Sequence, residues 1–343
     1  MFGMNDIGID LGTSTILFCV QGKGVVLREP AVVAIDRTTR NILAVGEEAR
    51  SMVGRAPANI SVIRPLADGV ISDYDITERM LRFFLRKVIG RRMMFRPRVV
   101  ACVPSGVTEV EKRSVVDTIL DAGARKAQLI DEPLAAAIGA GLDITKAYGN
   151  MLLDLGGGAS TLAVLAMGRI VVSVTTKIAG DRFDEAVIRY LRRKHNLMIG
   201  ERSAEELKIQ IGAAIPRSDP LYMDVTGRSL ITGLPKIITI NSEEMVEALD
   251  EPILALAENI QALLERTPPE LAADIFERGI VMTGGGSLLH GLDAALSEQV
   301  RVPCRLVEDP VACVAMGTGR ILDEQGAWTQ FLFDIEDSGP GRR

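Results

Sequence analysis

Cysteine and histidine are scarce in this chain, and each shortage closes off a class of function. Its 343 residues hold four cysteines and two histidines. Cys19, Cys102 and Cys313 stand in apolar runs, Cys304 follows Pro303, and no two have C-x-x-C spacing. Free thiols in a reducing compartment are therefore expected, not a disulfide framework. His195 and His290 are too few to build a zinc site without a cysteine pair. Long uncharged stretches are missing as well. The longest run without Asp, Glu, Lys, Arg or His covers 155–168, 14 residues, short of the roughly 18 needed to cross a bilayer. Asp6 and Asp10 arrive before any apolar leader develops, so a secretory signal is not expected and the chain is assigned to the cytoplasm. Positive charge is also lacking overall: the net charge of -6 argues against general nucleic-acid binding. No G-x-x-x-x-G-K-[ST] run occurs, and no G-x-G-x-x-G follows a strand, which excludes the two commonest phosphate-loop designs.

What is present is the material of a folded α/β protein. Hydrophobic residues make up 47% and charged residues 24%, a balance that fits neither disorder nor collagen. The length suggests about two domains. A chain of this size buries about three quarters of its unfolded surface and needs no staple.

The N-terminal pattern is a strand at 7–11, a Gly12-Thr-Ser-Thr turn, a second strand at 16–20, and a turn at 22–24 into a third strand. A second copy appears 144 residues later: a strand ending Asp154-Leu155, the turn Gly156-Gly-Gly-Ala-Ser-Thr161, then runs at 162–166 and 170–174. Downstream, 98–103 precedes Pro104-Ser-Gly106, while 280–282 precedes Thr283-Gly-Gly-Gly-Ser287. Each reads as a buried strand that breaks at glycine before a helix. Two related α/β halves are the economical reading, with chance similarity between two glycine-rich hairpins as the alternative. Thr108-x-x-Glu111 and Ser203-x-x-Glu206 have the form of capping boxes opening helices to about 121 and 211. Pro133 suits a helix first turn. A long amphipathic helix is expected over 243–264 with a kink or start at Pro252, closed by Pro268-Pro269, and a short helix over 288–296. Segments 31–69 and 184–239 carry no duplicated signature and read as insertions, and the tail is expected to fray after Ile335.

Two glycine-rich hairpins aimed at one another would present backbone N–H groups to an anion, and a phosphate chain is the natural guest. Thr13, Ser14 and Thr15 on one side and Ser160 and Thr161 on the other add hydroxyls. Asp10 and Asp154 would repel each other and the phosphates unless a hard cation such as Mg2+, retaining waters, stood between; the alternative is that both are strand-end turn formers. Gly284, Gly285 and Gly286 permit close backbone approach, or simply make a tight turn. Between 86 and 98 stand six basic residues, Arg86, Lys87, Arg91, Arg92, Arg96 and Arg98, and no acidic one, around the apolar tip Met93-Met94-Phe95. Such a loop can seat its tip at the acyl boundary and its arginines on anionic headgroups; the alternative packs the tip inward.

These motifs together resemble the MreB/Mbl family of bacterial actin homologues from Asp6 to about Glu324. The resemblance rests on Ile7-Gly-Ile-Asp-Leu-Gly-Thr13, Gly22-Lys-Gly24, Glu29-Pro30, Arg64-Pro65, Asp68-Gly-Val70, Asp131-Glu-Pro133, Ala179-Gly-Asp181, Thr267-Pro-Pro-Glu-Leu271 and Thr283-Gly-Gly-Gly-Ser-Leu-Leu289. It implies an actin-like ATPase fold of duplicated RNase H-like halves around a central nucleotide cleft. Subdomain IA would comprise 1–32, 70–145 and 310–335, IB 33–69, IIA 146–183 and 240–309, and IIB 184–239, with 336–343 a flexible tail. It implies ATP or ADP with Mg2+ held through water by Asp10 and Asp154, phosphates on Gly12, Thr13, Ser14, Gly156, Gly157 and Gly158, and Glu132 orienting the attacking water. Gly180, Asp181, Glu205, Lys208 and Gly284 to Gly286 would surround the rest of the nucleotide. Without the resemblance, Glu205 and Lys208 read as an i,i+3 surface pair. The implied partners are other copies in head-to-tail, paired protofilaments, an anionic membrane surface at the inner face of the cytoplasmic membrane, and membrane-embedded cell-wall elongation proteins; nucleic acid is not among them. The implied task is guidance of side-wall peptidoglycan synthesis and rod shape. A sugar-kinase-like or chaperone-like ATPase of the same superfamily is the alternative, or a nucleotide-binding filament protein with little hydrolysis. That last reading draws on Ala159 and Thr161, where the family commonly has a hydroxyl and a carboxylate; Gln210 is a further departure, since the family tends to have Glu there.

Overall fold

The computed structural model describes residues 6–67, 69–90, 96–324, 326 and 328–334. The chain divides into two units. One comprises Met1–Met52, Ala56–Leu142 and Ala312–Arg343, the other Val53–Arg55 and Asp143–Val311.

Each unit is built on a five-stranded mixed sheet, and the two sheets have the same topology. In the first, the order is Lys126–Asp131, Arg98–Val103, Ile7–Leu11, Thr15–Val20, Gly24–Pro30. In the second it is Cys304–Leu306, Ile280–Thr283, Asn150–Leu155, Ser160–Ala166, Arg169–Thr176. In both, the central strand opens an antiparallel meander on one side and on the other pairs in parallel with a later strand, which in turn pairs in parallel with the outermost strand. The repeat extends to loop length. Leu11 pairs with Ile16 and Leu155 with Ser160, so four residues make each turn. Both meanders also carry a register shift between the second and third strands. The central strands are buried along their whole length because each sheet is covered on both faces, which is why they read as unbroken apolar runs interrupted by one aspartate.

The segment 31–69 supplies a three-stranded sheet ordered Ile42–Val45, Val33–Asp36, Ile60–Ile63. The segment 184–239 contributes to a second, ordered Leu197–Met198, Tyr222–Ser229, Pro235–Asn241. Helix Glu109–Asp121 starts from the expected capping box, with Thr108 and Glu111 bonded reciprocally. Ser203 and Glu206 do not cap. The helix there is Glu201–Ile211 with Gly200 at its N-cap, so Ser203 lies inside the first turn, and Glu206 accepts from Arg202 Nε at 2.9 Å. Pro252 lies inside an unbroken helix, Ser242–Glu265. Pro268 and Pro269 do more than end it, since Pro269 opens a further helix, Pro269–Arg278. The expected helix at 288–296 is displaced: the chain makes a 3-10 turn over Gly285–Leu288, and Gly291, in the left-handed region, caps Leu292–Val300.

Helices Gly180–His195 and Cys313–Asp323 open without a side-chain cap, so no capping motif in the sequence announces them. The second belongs to the first unit and packs against the central strand and helix Glu132–Gly139 through very small residues. A Cβ on Gly317 would fall 1.8 Å from the Ala135 carbonyl oxygen, one on Gly139 1.9 Å from that of Cys313, and one on Gly8 2.2 Å from Thr318 Oγ1. Arg320 Nη1 donates to the Ile138 carbonyl at 2.6 Å, closing the C-terminal end of the neighbouring helix. Further on, Phe333 bridges Leu129 by two backbone hydrogen bonds of 3.0 and 3.1 Å. The expected frayed segment, 336–343, lies outside the described residues.

Candidate functional site

In the first unit, Asp10 stands one residue before the end of the central strand, and Gly12, Thr13 and Ser14 make the half-buried turn that follows. A Cβ on Gly12 would sit 2.5 Å from the Thr15 carbonyl oxygen, so only glycine closes this turn. Thr13 Oγ1 accepts from the Gly69 amide at 3.0 Å, which fastens the turn to the rest of the unit. Asp10 is buried, and burial pushes its carboxyl up to about 6, while a hydrogen bond from the Cys102 thiol, 3.4 Å away, works to lower it. Burial pushes the Cys102 thiol well up, and the negative charges of Asp10 and Glu132 add to the rise. Asp10, Cys102 and Glu132 therefore share one electrostatic environment at the C-terminal ends of neighbouring strands. Glu132 opens helix Glu132–Gly139, with Asp131 at its N-cap and Pro133 in its first turn. The positive helix end favours an acidic side chain there.

In the second unit, Asp154 takes the corresponding strand position, and Gly156, Gly157 and Gly158 make the half-buried turn. The Gly156 amide closes the hairpin on the Ala159 carbonyl at 3.0 Å. Helix Gly180–His195 docks its N-terminus on this turn, the Gly180 amide donating to Gly156 O at 3.1 Å and the Asp181 amide to Gly157 O at 2.7 Å. Gly284, at φ 83°, passes so close to Asp154 that a Cβ would lie 2.5 Å from Oδ1 and 2.4 Å from the Leu155 carbonyl. The 3-10 turn carrying Gly285 and Gly286 follows directly. Lys208 turns inward from helix Glu201–Ile211, forming an ion pair with Asp184 Oδ1 at 2.8 Å and donating to the Gly180 carbonyl at 3.0 Å. Glu205 lies one turn earlier on the same helix, half-buried, and its charge reaches Asp184.

Two hydroxyls leave the list of phosphate donors. Ser160 Oγ is fully buried and donates to the Ile178 carbonyl, and Thr161, 3% exposed, meets Thr175 across the sheet at 3.4 Å. Their place in the strand Ser160–Ala166, not in the turn, explains this. Asp184 is the residue sequence reasoning passed over. Its signal was the apolar spacing Phe183, Ala186, Val187, Tyr190, Leu191 after Ala179-Gly-Asp181, which marks one buried helical face and sets Asp184 on it. Desolvation there raises its carboxyl to about 6, against the lowering pull of Lys208.

Among the described residues no cluster of three or more His, Cys, Asp or Glu could hold a metal by itself. Asp10 nonetheless suits a hydrated magnesium ion. It is a buried carboxylate raised by desolvation, with the Cys102 thiol as a side-chain donor, so its oxygens keep acceptor capacity that a hard cation or its waters would use. Arg96 of the basic segment is described and exposed. Arg91, Arg92, Met93, Met94 and Phe95 lie outside the described residues. No described helix is long and apolar enough to cross a membrane.

Comparison with known proteins places this geometry. The family model for MreB/Mbl protein matches residues 4–330. The cell shape-determining protein Mbl of Bacillus subtilis is 48% identical over 318 residues, covering 93% of this chain and 96% of the relative. The cell shape-determining protein MreB of Escherichia coli is 48% identical over 324 residues, 93% of each. Among solved structures, MreB5 of Spiroplasma citri bound to ADP superposes with a TM-score of 0.89 at 35% identity, covering 92% of this chain and 95% of that one. The MamK double helical filament, at 22% identity and a TM-score of 0.79 over 93% of this chain and 99% of that one, shares the fold.

Proposed function

The chain belongs to the MreB/Mbl family and has the actin-like fold, and we propose that it is an ATP-binding cytoskeletal protein that assembles head to tail into membrane-associated filaments organising cell-wall synthesis and rod shape. The observation that carries this reading is the pair of matched hairpins, each a four-residue glycine turn behind a buried aspartate. Their backbone amides suit a phosphate chain. Gly12, Thr13 and Ser14 bind from the first hairpin, and Gly156, Gly157 and Gly158 from the second. Asp10 and Asp154 would hold Mg2+, which when bound neutralises phosphate charge. Glu132 orients the attacking water, and Gly180, Asp181, Glu205, Lys208 and Gly284 to Gly286 position the nucleoside end. Filament growth uses one surface against a different one, so the contact does not close into a ring. The loop at 91–96 attaches the filament to an anionic inner-membrane surface, where many weak contacts act together. Membrane-embedded elongation proteins are the expected partners.

A second reading, nucleotide binding with little hydrolysis, is favoured by Thr161, whose side chain is buried against Thr175 where the family pattern has a carboxylate. Electron microscopy of the purified protein with ATP and Mg2+ on phosphatidylglycerol vesicles tests the main reading. Filaments lying on the lipid are expected for the wild type and none for Asp154→Ala. Filaments that form equally without nucleotide would refute it.

A further inference from the structure

A hollow of about 290 Å³ opens in the first unit beside the point where the chain leaves helix Tyr74–Ile89 at Gly90 and returns at Arg96. Its floor is aliphatic, formed by Leu85, Ile89, Pro97 and Ala122, and its rim carries Arg82, Arg86, Arg96 and Asp121. Helical spacing produces this arrangement: 82, 85, 86 and 89 follow i, i+3, i+4 and i+7, one face of the last two turns. That face meets the C-terminal end of helix Glu109–Asp121.

Two features of the rim oppose an anion, the Asp121 carboxylate and the negative end of that helix. Both are already engaged. Tyr74 donates its hydroxyl to Asp121 Oδ2 at 2.9 Å, and Arg82 Nη2 donates to the Asp121 carbonyl at 2.8 Å while also pairing with Glu78. Arg86 and Arg96 are exposed, and among the described residues neither has an ion-pair partner. The hollow thus combines two uncommitted guanidinium groups with an apolar floor. That is the chemistry of an amphiphilic anion, a phosphate that continues into carbon. Guanidinium suits phosphate because its N–H groups bind two oxygens at once, while the aliphatic floor has no use for a bare inorganic ion.

We propose that this hollow binds the phosphodiester headgroup of an anionic phospholipid, with Arg86 and Arg96 on the phosphate and Leu85, Ile89 and Pro97 against its glycerol carbons. The proposal rests on the membrane attachment put forward above and deepens it. It converts a general attraction between a basic segment and a charged surface into a site with a headgroup in it.

The test separates the two ideas. Calorimetric titration with short-chain phosphatidylglycerol below its critical micelle concentration is expected to show saturable binding to the wild type and none to Arg86→Gln/Arg96→Gln. Inorganic phosphate is the second arm, and equal binding of it would overturn a lipid as the source. With phosphatidylglycerol vesicles, the same double variant is expected to lose roughly ten- to thirtyfold in partitioning. Arg192→Gln/Arg193→Gln, which removes the same charge from a helix of the other unit, is expected to lose far less. Equal losses would reduce the effect to bulk charge and overturn the site. Met94→Ser/Phe95→Ser probes attachment alone: reduced pelleting with unchanged short-chain lipid binding supports the hollow as a distinct element. Absence of saturable short-chain lipid binding overturns the hollow even if the wild type still pellets with vesicles.

Discussion

Substitution of Gly317 by alanine tests how Glu132 is held in place. Two effects of opposite sign compete. Gly317 is helical, and alanine there favours the helix by about 1 kcal/mol. Against this, the added Cβ would lie 1.8 Å from the Ala135 carbonyl oxygen, 2.7 Å from its carbon and 3.1 Å from the Gly139 amide nitrogen. All three are backbone atoms, so no rotamer change relieves the clash. Cβ atoms essentially never approach within 3.0 Å, so helices Glu132–Gly139 and Cys313–Asp323 must part by about 1.2 Å. Parting a close-packed pair costs typically 1–3 kcal/mol, and the sites on both helices leave little room to relax. The balance falls on the side of the clash, with net destabilisation of up to about 2 kcal/mol.

The displaced helix is the one that begins with Glu132, and a misplacement of roughly 1 Å in a catalytic group costs on the order of 10²-fold in rate. Gly317→Ala is therefore expected to lower the urea midpoint and to depress phosphate release more than nucleotide affinity. Gly139→Ala, whose Cβ would meet the Cys313 carbonyl at 1.9 Å, is expected to do the same. Urea unfolding followed by circular dichroism and steady-state phosphate release check both. An unchanged midpoint together with unchanged turnover in Gly317→Ala would refute the reasoning.

Glu132→Ala is expected to slow phosphate release on the order of 10²-fold while leaving ATP affinity within about twofold by calorimetry; an unchanged turnover rate removes it from the reaction. Asp184 is expected to titrate near pH 6 by carboxyl carbon NMR, and a midpoint near the ordinary 3.8 would contradict its burial. Because its folded-state value lies above the unfolded one, the folded state takes up a proton between the two. Its contribution to folding therefore grows as pH falls from about 7 towards 4, opposite in sign to a carboxylate whose value is depressed.

The large sheets were legible because their strands are short apolar runs punctuated by glycine, and the duplicated Asp-Leu-Gly turn marked the same position twice. The meander strands lengthened by at most three residues at an end, and Ile7–Leu11 kept its bounds. Residues whose meaning depends on distant packing were harder to place. Gly139 and Gly317 lie 178 positions apart in the chain and make sense only as a pair of helices in near backbone contact. Ser203-x-x-Glu206 satisfied the capping pattern, yet Gly200 three residues earlier already met the geometric need of an N-cap, so the helix began sooner. Pro268-Pro269 read as a terminator because proline cannot continue a helix, but proline also opens one, and the chain uses Pro269 that way.

The two hairpins also show how duplication produces unlike chemistry from like backbones. Beside Asp10 the neighbouring strand supplies the Cys102 thiol; beside Asp154 the equivalent strand places Thr283, whose hydroxyl donates to the Pro310 carbonyl at 2.9 Å, and Gly284, just past the strand end, sets its backbone against the carboxylate. Burial leaves the Asp10 carboxylate raised to about 6 in spite of the Cys102 thiol beside it, a charge that a nearby cation would favour. At Asp154 the Thr283 hydroxyl is turned to the Pro310 carbonyl and Gly284 brings main chain to the carboxylate, and helix Gly180–His195 adds its N-terminus to the neighbouring turn. The first unit therefore concentrates ionisable groups, Asp10 and Glu132, while the second concentrates backbone and the Asp184–Lys208 pair. On that division, substitution of Glu132 should act mainly on turnover and substitution of Lys208 mainly on affinity. The same split in measured kcat and Kd across Glu132→Ala and Lys208→Ala would establish it, and a uniform loss of affinity in both would not.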